Sequence, residues 1–214
     1  MKDFLHMVEH QLVKEVQLES IDPSDPIIIK NLPENWTLLG NGNYAAVFCH
    51  KSFPDLVVKI YAEGKEGIEE ETEVYKKLGK HKSFSQMYCT GKRYLILKRL
   101  PGKTFYECMR RGIRFPKQAI EDIDNAIIYA KSVGLNPHDI HAKNIMVHNE
   151  RGYIVDVSDF LHKDYCRLWK DTKKFYYKVY NKLPFVFSVP EYILNSGRKI
   201  YRLSRKIKKI IKNL

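Results

Sequence analysis

The chain has 214 residues, of which 44% are hydrophobic and 29% are charged, and its formal net charge is +12. This length suffices for one domain or for two small lobes around a cleft, and the composition excludes a disordered or fibrous protein. No apolar run is long enough for a membrane helix and no signal peptide is visible, so the expected location is the cytoplasm. Four scattered cysteines without a CxxC pair argue against a zinc site or a disulfide framework. The excess positive charge indicates a partner that carries phosphate: a nucleotide, a nucleic acid or an anionic lipid.

The chain begins with a predicted helix and continues with predicted strands. Apolar residues at helical spacing predict a helix over residues 3–19, and two prolines within residues 22–26 end it, which gives an N-terminal helical extension over residues 1–30. From Trp36 to Tyr61, short apolar runs separated by glycine and proline turns predict an antiparallel meander.

A second predicted helix and two more strands complete the first lobe. The Glu/Lys-rich residues 65–79 predict a helix that ends at Gly79, and two strands follow within residues 86–100. Pro101-Gly102 marks a hinge, so residues 31–100 form the predicted N-lobe.

The second half of the chain is predicted to be mainly helical. It divides into a C-lobe over residues 101–197 and a basic C-terminal helix over residues 198–214. Because two unlike lobes enclose a cleft, this organisation predicts a ligand site between them. The predicted elements after the hinge are helices over 104–111 and 117–133, a hairpin of strands 145–147 and 153–155 around a turn at 149–152, and helical, basic chain from residue 163 onward.

A glycine-rich segment, GNGNYAAV at residues 40–47, lies within the predicted meander. A dinucleotide-binding fold would require a helix directly after the glycines, whereas a strand is predicted here. A glycine loop inside a hairpin can lay its backbone amides over the phosphates of a nucleotide, and the alternative is a simple turn between strands.

Lys59 stands inside an apolar strand, so its ammonium group must reach polar surroundings. It could extend to the surface, or it could hold phosphates beneath the glycine loop, where it would need a carboxylate partner from the next helix. Four glutamates between residues 69 and 73 are candidates. Glu71 is preferred because Tyr75 and Leu78 lie on its side of the helix and can anchor that side in the core.

The segment PHDIHAKN, residues 137–144, carries the strongest signal. Asp139 and Asn144 are five residues apart, which is the spacing of the catalytic loop of protein kinases, where the aspartate accepts a proton and the asparagine holds Mg²⁺. A metal site on His138 and His141 is the alternative, but no third ligand stands nearby in the sequence.

An acidic residue at the end of the second hairpin strand is a candidate metal ligand. Asp156 directly follows three apolar residues, and a carboxylate at the end of a buried strand must meet a cation or hydrogen-bond donors. Asp159 and Phe160 form an alternative, since they resemble the start of a DFG motif in which Leu161 replaces the glycine. Asp156 is the preferred candidate.

These four signals occur in the order found in protein kinases, and the chain resembles that superfamily over about residues 36–180. Within it, the sequence is most similar to the RIO kinases and to the bacterial YrzF-type serine/threonine kinases. The segment IVDVS, residues 154–158, resembles the RIO metal-binding segment. Only 58 residues follow Asp156, which leaves little room for the activation segment and the peptide-binding helices of standard kinases. RIO proteins lack these elements as well.

The resemblance implies an α+β, bilobal protein-kinase-like fold with a small antiparallel-sheet N-lobe and a mainly helical, reduced C-lobe. It implies ATP and Mg²⁺ as cofactors and a serine/threonine protein kinase as the function, with a hydroxyl acceptor that is expected to be a protein. In this assignment Lys59 orients the phosphates, Glu71 pairs with it, Asp139 is the catalytic acid/base, and Asn144 and Asp156 bind Mg²⁺. The nucleotide contacts implied are Gly40, Asn41, Gly42, Ala45, Val47, Lys59, Leu97 as gatekeeper, and the backbones of Lys98 and Leu100.

Several residues depart from the family pattern. Ala45 replaces the third glycine of the loop, and Pro137 replaces the histidine of the HRD motif. His141 stands where many kinases have a lysine for the γ-phosphate, although Lys143 could substitute for it. These departures bear on the turnover rate and the acceptor more than on ATP binding.

Three other functions remain open at the level of sequence. Two are enzymatic: a small-molecule phosphotransferase and a RIO-like ATPase switch. The third is a non-enzymatic module in which the basic tail binds RNA or an anionic membrane. For the tail itself, packing of its apolar stripe on the C-lobe is the preferred interpretation.

Overall fold

The elements of the fold follow the predicted order in a computed structural model that describes residues 1–22 and 25–196. The basic C-terminal helix predicted over 198–214 lies outside the described residues. The strands are β1 Gln17–Glu19, β2 Ile28–Lys30, β3 Trp36–Asn41, β4 Ala45–His50, β5 Phe53–Tyr61, β6 Met87–Thr90, β7 Tyr94–Lys98, β8 Lys103–Thr104, β9 Ile145–His148 and β10 Arg151–Ile154. The helices are α1 Lys2–Met7, α2 Val13–Glu15, α3 Ile68–Leu78, α4 Phe105–Arg111, α5 Lys117–Ser132 and α6 Leu168–Lys178, with a π-helical segment Val8–Leu12 between α1 and α2 and a 3₁₀ turn Tyr180–Lys182.

A five-stranded antiparallel sheet of order β3-β4-β5-β7-β6 forms the core of the N-lobe. Along β5 the side chains alternate between two apolar clusters, so Val58 and Ile60 face one side while Val57 and Tyr61 face the other. Lys59 shares the second face because it lies two residues from each of them. The predicted meander and the α+β fold class are confirmed.

The N-terminal extension covers the first of these faces. Phe4, Val8, Leu12 and Val16 are almost completely buried against sheet residues such as Ile60. The helix predicted over residues 3–19 ends at Glu15, because Val16 takes an extended backbone (ψ 128°). The next three residues form β1, which pairs with β2, so the extension contains a strand ribbon as well as a helix.

The opposite face of the sheet is covered by α3. The helix begins at Ile68, three residues later than predicted, after Gly67 with a φ of 113°. It ends before Gly79 (φ 56°), as predicted, since glycine adopts this left-handed conformation without strain. Tyr75 and Leu78 are buried, which confirms that this side of the helix faces the core.

The predicted helices and hairpin of the C-lobe are also present. Helix α4 begins with a capping box between Thr104 and Glu107, which satisfies free amides of its first turn. The β9–β10 hairpin has a tighter turn than predicted, because Asn149 and Glu150 both have positive φ and close it in two residues.

Close packing of α5 on β10 fixes the hairpin in the C-lobe. A Cβ atom at Gly152 would lie 2.2 Å from the Ala119 carbonyl oxygen, so only glycine allows this approach. The buried Asp122 carboxylate accepts hydrogen bonds from the Gly152 N–H (3.0 Å) and from the Arg151 guanidinium (2.7 Å). These contacts hold the strand that leads to Asp156.

The prediction of continuous helix from residue 163 is wrong for part of the chain. After α6 and the 3₁₀ turn, residues 183–190 are not helical, and helix resumes only at 191–196. Pro184 and Pro190 account for this difference, because proline removes a backbone donor and disfavours helix at the preceding residue.

Hydrogen bonds connect the two lobes near the end of β10. The Tyr129 hydroxyl of α5 donates to the Leu78 carbonyl at the end of α3 (2.8 Å), and the Ile154 N–H donates to the Ser83 carbonyl (2.9 Å). The end of β10 is therefore attached to the segment that follows α3, next to the inner face of the sheet.

Candidate active site

Lys59 and Glu71 form a buried ion pair between β5 and α3. The Lys59 Nζ atom lies 2.9 Å from Oε1 and 2.8 Å from Oε2 of Glu71. Glu71 is completely buried, whereas Glu73, on the same helix, is exposed and pairs with Lys77 at 2.7 Å. Of the four candidate glutamates, the one on the Tyr75 side is thus the partner of the lysine.

Tyr61 is a second partner of Glu71 that the sequence reasoning missed. Its buried hydroxyl donates a short hydrogen bond to Glu71 Oε2, and its ring lies 5.6 Å from the Lys59 ammonium. The sequence does contain a signal for this contact. Tyr61 follows Lys59 by two residues, and residues two apart on a strand have side chains on the same face. Tyr61 fixes the rotamer of the glutamate from the side opposite to solvent.

Asp156 lies on the other side of the same ammonium group. The Lys59 Nζ atom is 3.2 Å from Asp156 Oδ1, which also accepts from the Ser158 N–H at 3.3 Å. The side chain is 41% accessible, so a ligand could reach its free oxygen. Asp159, the alternative candidate, lies instead 3.5 Å from the His162 imidazole.

The charged groups of Lys59, Glu71 and Asp156 shift one another's pKa values. Burial alone would lower the pKa of Lys59, but Asp156 and Glu71 outweigh it and raise that pKa well above its usual value. Burial would raise the pKa of Asp156, but the charge of Lys59 and the Ser158 N–H hold it below its usual value. The lysine is therefore a cation and Asp156 a carboxylate at neutral pH.

The loop of residues 139–144 turns sharply between the two candidate catalytic residues. Asp139 has a φ of 52°, a left-handed conformation that aspartate tolerates better than most residues. The Asn144 side-chain amide donates to the Asp139 carbonyl at 3.0 Å and closes the loop. The Val155 N–H donates to the Asn144 carbonyl, also at 3.0 Å, which joins this loop to the residue before Asp156.

The Asp139 carboxylate lies among other charged groups. Burial raises its pKa, the neighbouring His141 opposes this shift, and Asp159 and Asp156 add to it. The His141 Nε2 atom is 3.7 Å from Asp139 Oδ2, while its Nδ1 atom accepts from the Lys143 N–H. His141 therefore presents an N–H toward the carboxylate, and the metal site on His138 and His141 has no support in this geometry.

Asn144 and Asp156 offer oxygen ligands of the kind that Mg²⁺ binds. Because the Asn144 Nδ2 atom is used within the loop, its Oδ1 atom is the group left for a cation. Among the described residues there is no cluster of three or more His, Cys, Asp or Glu side chains that could hold a metal alone. A cation here would need further oxygens from a bound ligand or water, as for Mg²⁺ held with nucleotide phosphates.

The glycine-rich loop is the turn between β3 and β4, above the inner face of the sheet. Ala45 and Val47 belong to the same apolar cluster as Leu97, so these three predicted contacts line one surface. A Cβ atom at Gly40 would meet open space. The structure therefore brings these residues and Lys59 to one side of the sheet.

Asn41 is the exception within this loop. Its side-chain amide donates to the Ile27 carbonyl (2.8 Å), and the Ile27 N–H donates to the Gly42 carbonyl (2.9 Å). The N-terminal extension thus holds the loop at two points, and no pattern in the sequence predicts this contact. The Asn41 side chain is engaged in this contact rather than directed at a nucleotide.

The predicted hinge contacts are partly engaged within the protein. Leu97 is buried at the end of β7, as a gatekeeper residue would be. The Lys98 N–H donates to the Gln86 carbonyl (2.8 Å), and the Lys98 carbonyl accepts from the Ser85 hydroxyl (2.6 Å). The Lys98 carbonyl keeps one lone pair for another donor. Leu100 is half-buried and lies at the start of the hinge.

Comparison with known proteins gives one relative of clear similarity. None of the protein-family models matches the chain. The chain is 29% identical over 178 residues to the protein named "Putative serine/threonine-protein kinase YrzF" from Bacillus subtilis (strain 168), which covers 81% of this chain and 82% of the relative. The similarity spans both lobes. In the described residues no helix is long and apolar enough to cross a membrane.

Proposed function

We propose that this chain is a member of the protein-kinase-like superfamily and an ATP- and Mg²⁺-dependent serine/threonine protein kinase of a minimal, RIO-like type, a proposal that its similarity to the Bacillus subtilis relative supports. The proposal depends above all on one observation: Lys59 of the N-lobe sheet contacts both Glu71 of α3 and Asp156 of the C-lobe. A cation held between two carboxylates from different lobes supports phosphoryl transfer, which needs a group that binds phosphates beside a candidate metal ligand.

Lys59 would bind the α- and β-phosphates of ATP. Its pairing with Glu71, itself held by Tyr61, keeps the ammonium in one position, so that little side-chain entropy is lost when phosphate binds. Ala45, Val47 and Leu97 would pack on the adenine, and the free lone pair of the Lys98 carbonyl would accept from its amino group.

Asn144 and Asp156 would hold Mg²⁺ on the phosphates. When bound, the ion supplies positive charge that stabilises the transferring phosphoryl group. The residues fit this role because both offer oxygen ligands and because Lys59 and Ser158 keep Asp156 ionised.

Asp139 would accept the proton of the acceptor hydroxyl. The hydroxyl oxygen forms a bond to the γ-phosphorus while the bond from that phosphorus to the β–γ bridging oxygen breaks, so that ADP leaves and the proton moves to the Asp139 carboxylate. The loop is closed by Asn144, and the Asp139 side chain is 40% exposed, so an acceptor could reach its carboxylate.

Purified full-length chain, incubated with radiolabelled ATP and Mg²⁺, tests the proposal. We expect ATP binding that depends on Mg²⁺, together with transfer of label to the chain itself or to a generic protein acceptor. Asp139→Ala should bind ATP without transferring phosphate, and Asp156→Ala should lose the Mg²⁺ dependence of binding. Glu121→Gln, which changes a side chain that is 46% exposed on α5, is the folding control.

Three outcomes would change the assignment. Undiminished transfer by Asp139→Ala would show that another residue is the base. Loss of Mg²⁺-dependent binding in Asp159→Ala, but not in Asp156→Ala, would exchange the two aspartates. Release of phosphate to water without any labelled protein would favour an ATPase switch over a kinase.

A further inference from the structure

Tyr61 stands at the last position of β5, one residue beyond the point where the pairing of β5 with β7 ends. Its hydroxyl holds Glu71, and Glu71 holds Lys59, so the position of this strand end affects the ammonium group. Arg93, in the turn between β6 and β7, contacts both backbone polar groups of Tyr61. The Tyr61 N–H donates to the Arg93 carbonyl (2.9 Å), and the Arg93 Nη1 atom lies 3.5 Å from the Tyr61 carbonyl oxygen.

The other terminal nitrogen of the Arg93 guanidinium reaches the N-terminal extension. Its Nη2 atom donates to the Val13 carbonyl at 2.9 Å. In a longer helix this carbonyl would accept from the N–H four residues later, which belongs to Gln17. Because the helix ends at Glu15 and Gln17 begins β1, the Val13 carbonyl needs another donor. The early end of the first helix thus provides the acceptor to which Arg93 binds, and a cation is favoured at a helix C-terminus.

The next residue, Tyr94, attaches the extension to β7 in a similar way. Its hydroxyl donates to Glu9 Oε1 at 2.8 Å, four residues before Val13 in the extension. The Tyr94 side chain is buried in the apolar cluster on the outer face of the sheet, whereas Tyr61 belongs to the cluster on the inner face. Tyr94 therefore shares with Arg93 the contact to the extension but not the contact to Tyr61, and it offers a matched comparison.

From these contacts we infer that Arg93 is a positioning residue for nucleotide binding, an inference that rests on the proposed function. Arg93 links the Val13 carbonyl to the backbone of Tyr61. Through Tyr61 and Glu71 it holds Lys59 in the position that phosphates need. A less constrained Lys59 would lose more side-chain entropy when ATP binds, so the affinity would fall although the fold is kept. In this way the extension acts on the nucleotide site from the opposite face of the sheet.

Equilibrium titration of the full-length chain with a fluorescent ATP analogue and Mg²⁺ tests the inference. Arg93→Met keeps most of the apolar stem and removes the guanidinium, and we expect its Kd to be about fivefold or more above the wild-type value. Arg93→Lys keeps the charge but has one nitrogen for two carbonyls, so its Kd should rise by a smaller factor. Circular dichroism shows whether each variant is folded, and Arg93→Lys decides the question if Arg93→Met is not.

Two control variants separate positioning from charge and from stability. Lys92→Met removes an equal charge from the exposed residue next to Arg93 and should leave Kd unchanged. Tyr94→Phe removes the hydrogen bond to Glu9, so it should lower the stability to urea without raising Kd. An arginine with a purely structural role would behave as Tyr94 does.

Hydrogen exchange without nucleotide provides a second measurement that does not depend on the proposed function. The Tyr61 N–H donates to the Arg93 carbonyl and the Ala62 N–H to the Tyr44 carbonyl (2.8 Å), and both amides should exchange several-fold faster in Arg93→Met than in Lys92→Met. Unchanged exchange at Tyr61 would overturn the inference, as would an equal rise in Kd in Arg93→Met and either control.

The titration also separates failure of the inference from failure of the proposed function. Absence of ATP binding by the wild type would refute the proposed function and the inference with it. ATP binding by the wild type, together with an unchanged Kd in folded Arg93→Met, would refute the inference and leave the proposed function as it stands.

Discussion

The Lys59 ammonium and the Asp156 carboxylate lie 3.2 Å apart although 97 residues separate them in the sequence. One belongs to the sheet of the N-lobe and the other follows the hairpin of the C-lobe, so their contact joins the two lobes. With Glu71 on the other side, one cation stands between two carboxylates. A ligand whose phosphates bind Lys59 must compete with Asp156 for the ammonium group. A divalent cation bound to Asp156 would favour the ligand in this competition.

Replacing Glu71 by glutamine should lower phosphotransfer by about 10- to 100-fold, because Lys59 would lose the charge that positions it on the phosphates. The change is isosteric, so the fold should be kept, and steady-state kinetics with ATP measure the effect. Glu73→Gln on the exposed side of the same helix is the control and should leave the rate unchanged. Equal rates in both variants would contradict the assigned role of Glu71.

Replacing Tyr61 by phenylalanine removes the hydroxyl that donates to Glu71. Since the buried carboxylate would lose a hydrogen bond, we expect the free energy of unfolding to fall by about 1–3 kcal/mol, measured by urea denaturation. The KM for ATP should rise as Lys59 and Glu71 become less fixed. The same substitution at exposed Tyr165 should change neither quantity, and a Tyr61→Phe protein of unchanged stability would argue against this hydrogen bond.

Replacing Asn41 by aspartate should loosen the glycine-rich loop from the N-terminal extension. Aspartate has nearly the same size but cannot donate to the Ile27 carbonyl, and its charge would repel that oxygen. We expect faster hydrogen exchange at Ile27 and Gly42 and a higher KM for ATP. Lys51→Ala, in the exposed turn between β4 and β5, is the control. Unchanged exchange at Ile27 would show that the extension does not hold the loop.

Replacing Asp122 by alanine should destabilise the C-lobe, because the buried Gly152 N–H would lose its acceptor. We expect a loss of about 2 kcal/mol in the free energy of unfolding. Glu121→Ala, which removes an exposed carboxylate 3.2 Å from Lys117 on the same helix, should cost no more than about 0.5 kcal/mol. Chemical denaturation of both variants makes the comparison, and similar losses would refute a specific role for Asp122.

His50 should make stability depend on pH below neutrality. Burial lowers the pKa of this imidazole, which packs on Trp36 and accepts from the Ser52 N–H through Nδ1 (3.1 Å). The unfolded chain then binds a proton more readily than the folded one, so the free energy of unfolding should fall as pH decreases below about 6.5 and should not depend on His50 above it.

Denaturation of wild type and His50→Asn at a series of pH values checks this expectation. Asparagine can place its oxygen near the Nδ1 position and does not titrate, so the variant should lose part of the pH dependence. The same substitution at exposed His6 controls for loss of an imidazole. An identical pH profile for wild type and His50→Asn would contradict the prediction.

The elements with strong local signals could be predicted from the sequence. Helix α3 and its glycine stop, helices α4 and α5, and the β9–β10 hairpin all lie within a few residues of their predicted places. Spacing also predicted a turn that joins Asp139 and Asn144, and the Asn144 side chain does close the loop on the Asp139 carbonyl, while the roles of these two residues stay predictions. Two local predictions were wrong. Residues 183–190 are not helical, although Pro184 and Pro190 in that segment disfavour a helix, and the first helix ends at Glu15.

By itself, the sequence determined the alternation of apolar residues in the strands and their periodicity in the helices. It also limited the partner of Lys59 to four glutamates and the candidate metal ligand after the hairpin to two aspartates. Only the tertiary structure decided that Glu71 and Asp156 meet the lysine, that Tyr61 supports the pair, and that Ile27 holds the glycine-rich loop. The physical reason is that local preferences depend on neighbours a few residues away. Contacts across 97 residues depend instead on how whole elements pack, which no short stretch of chain encodes.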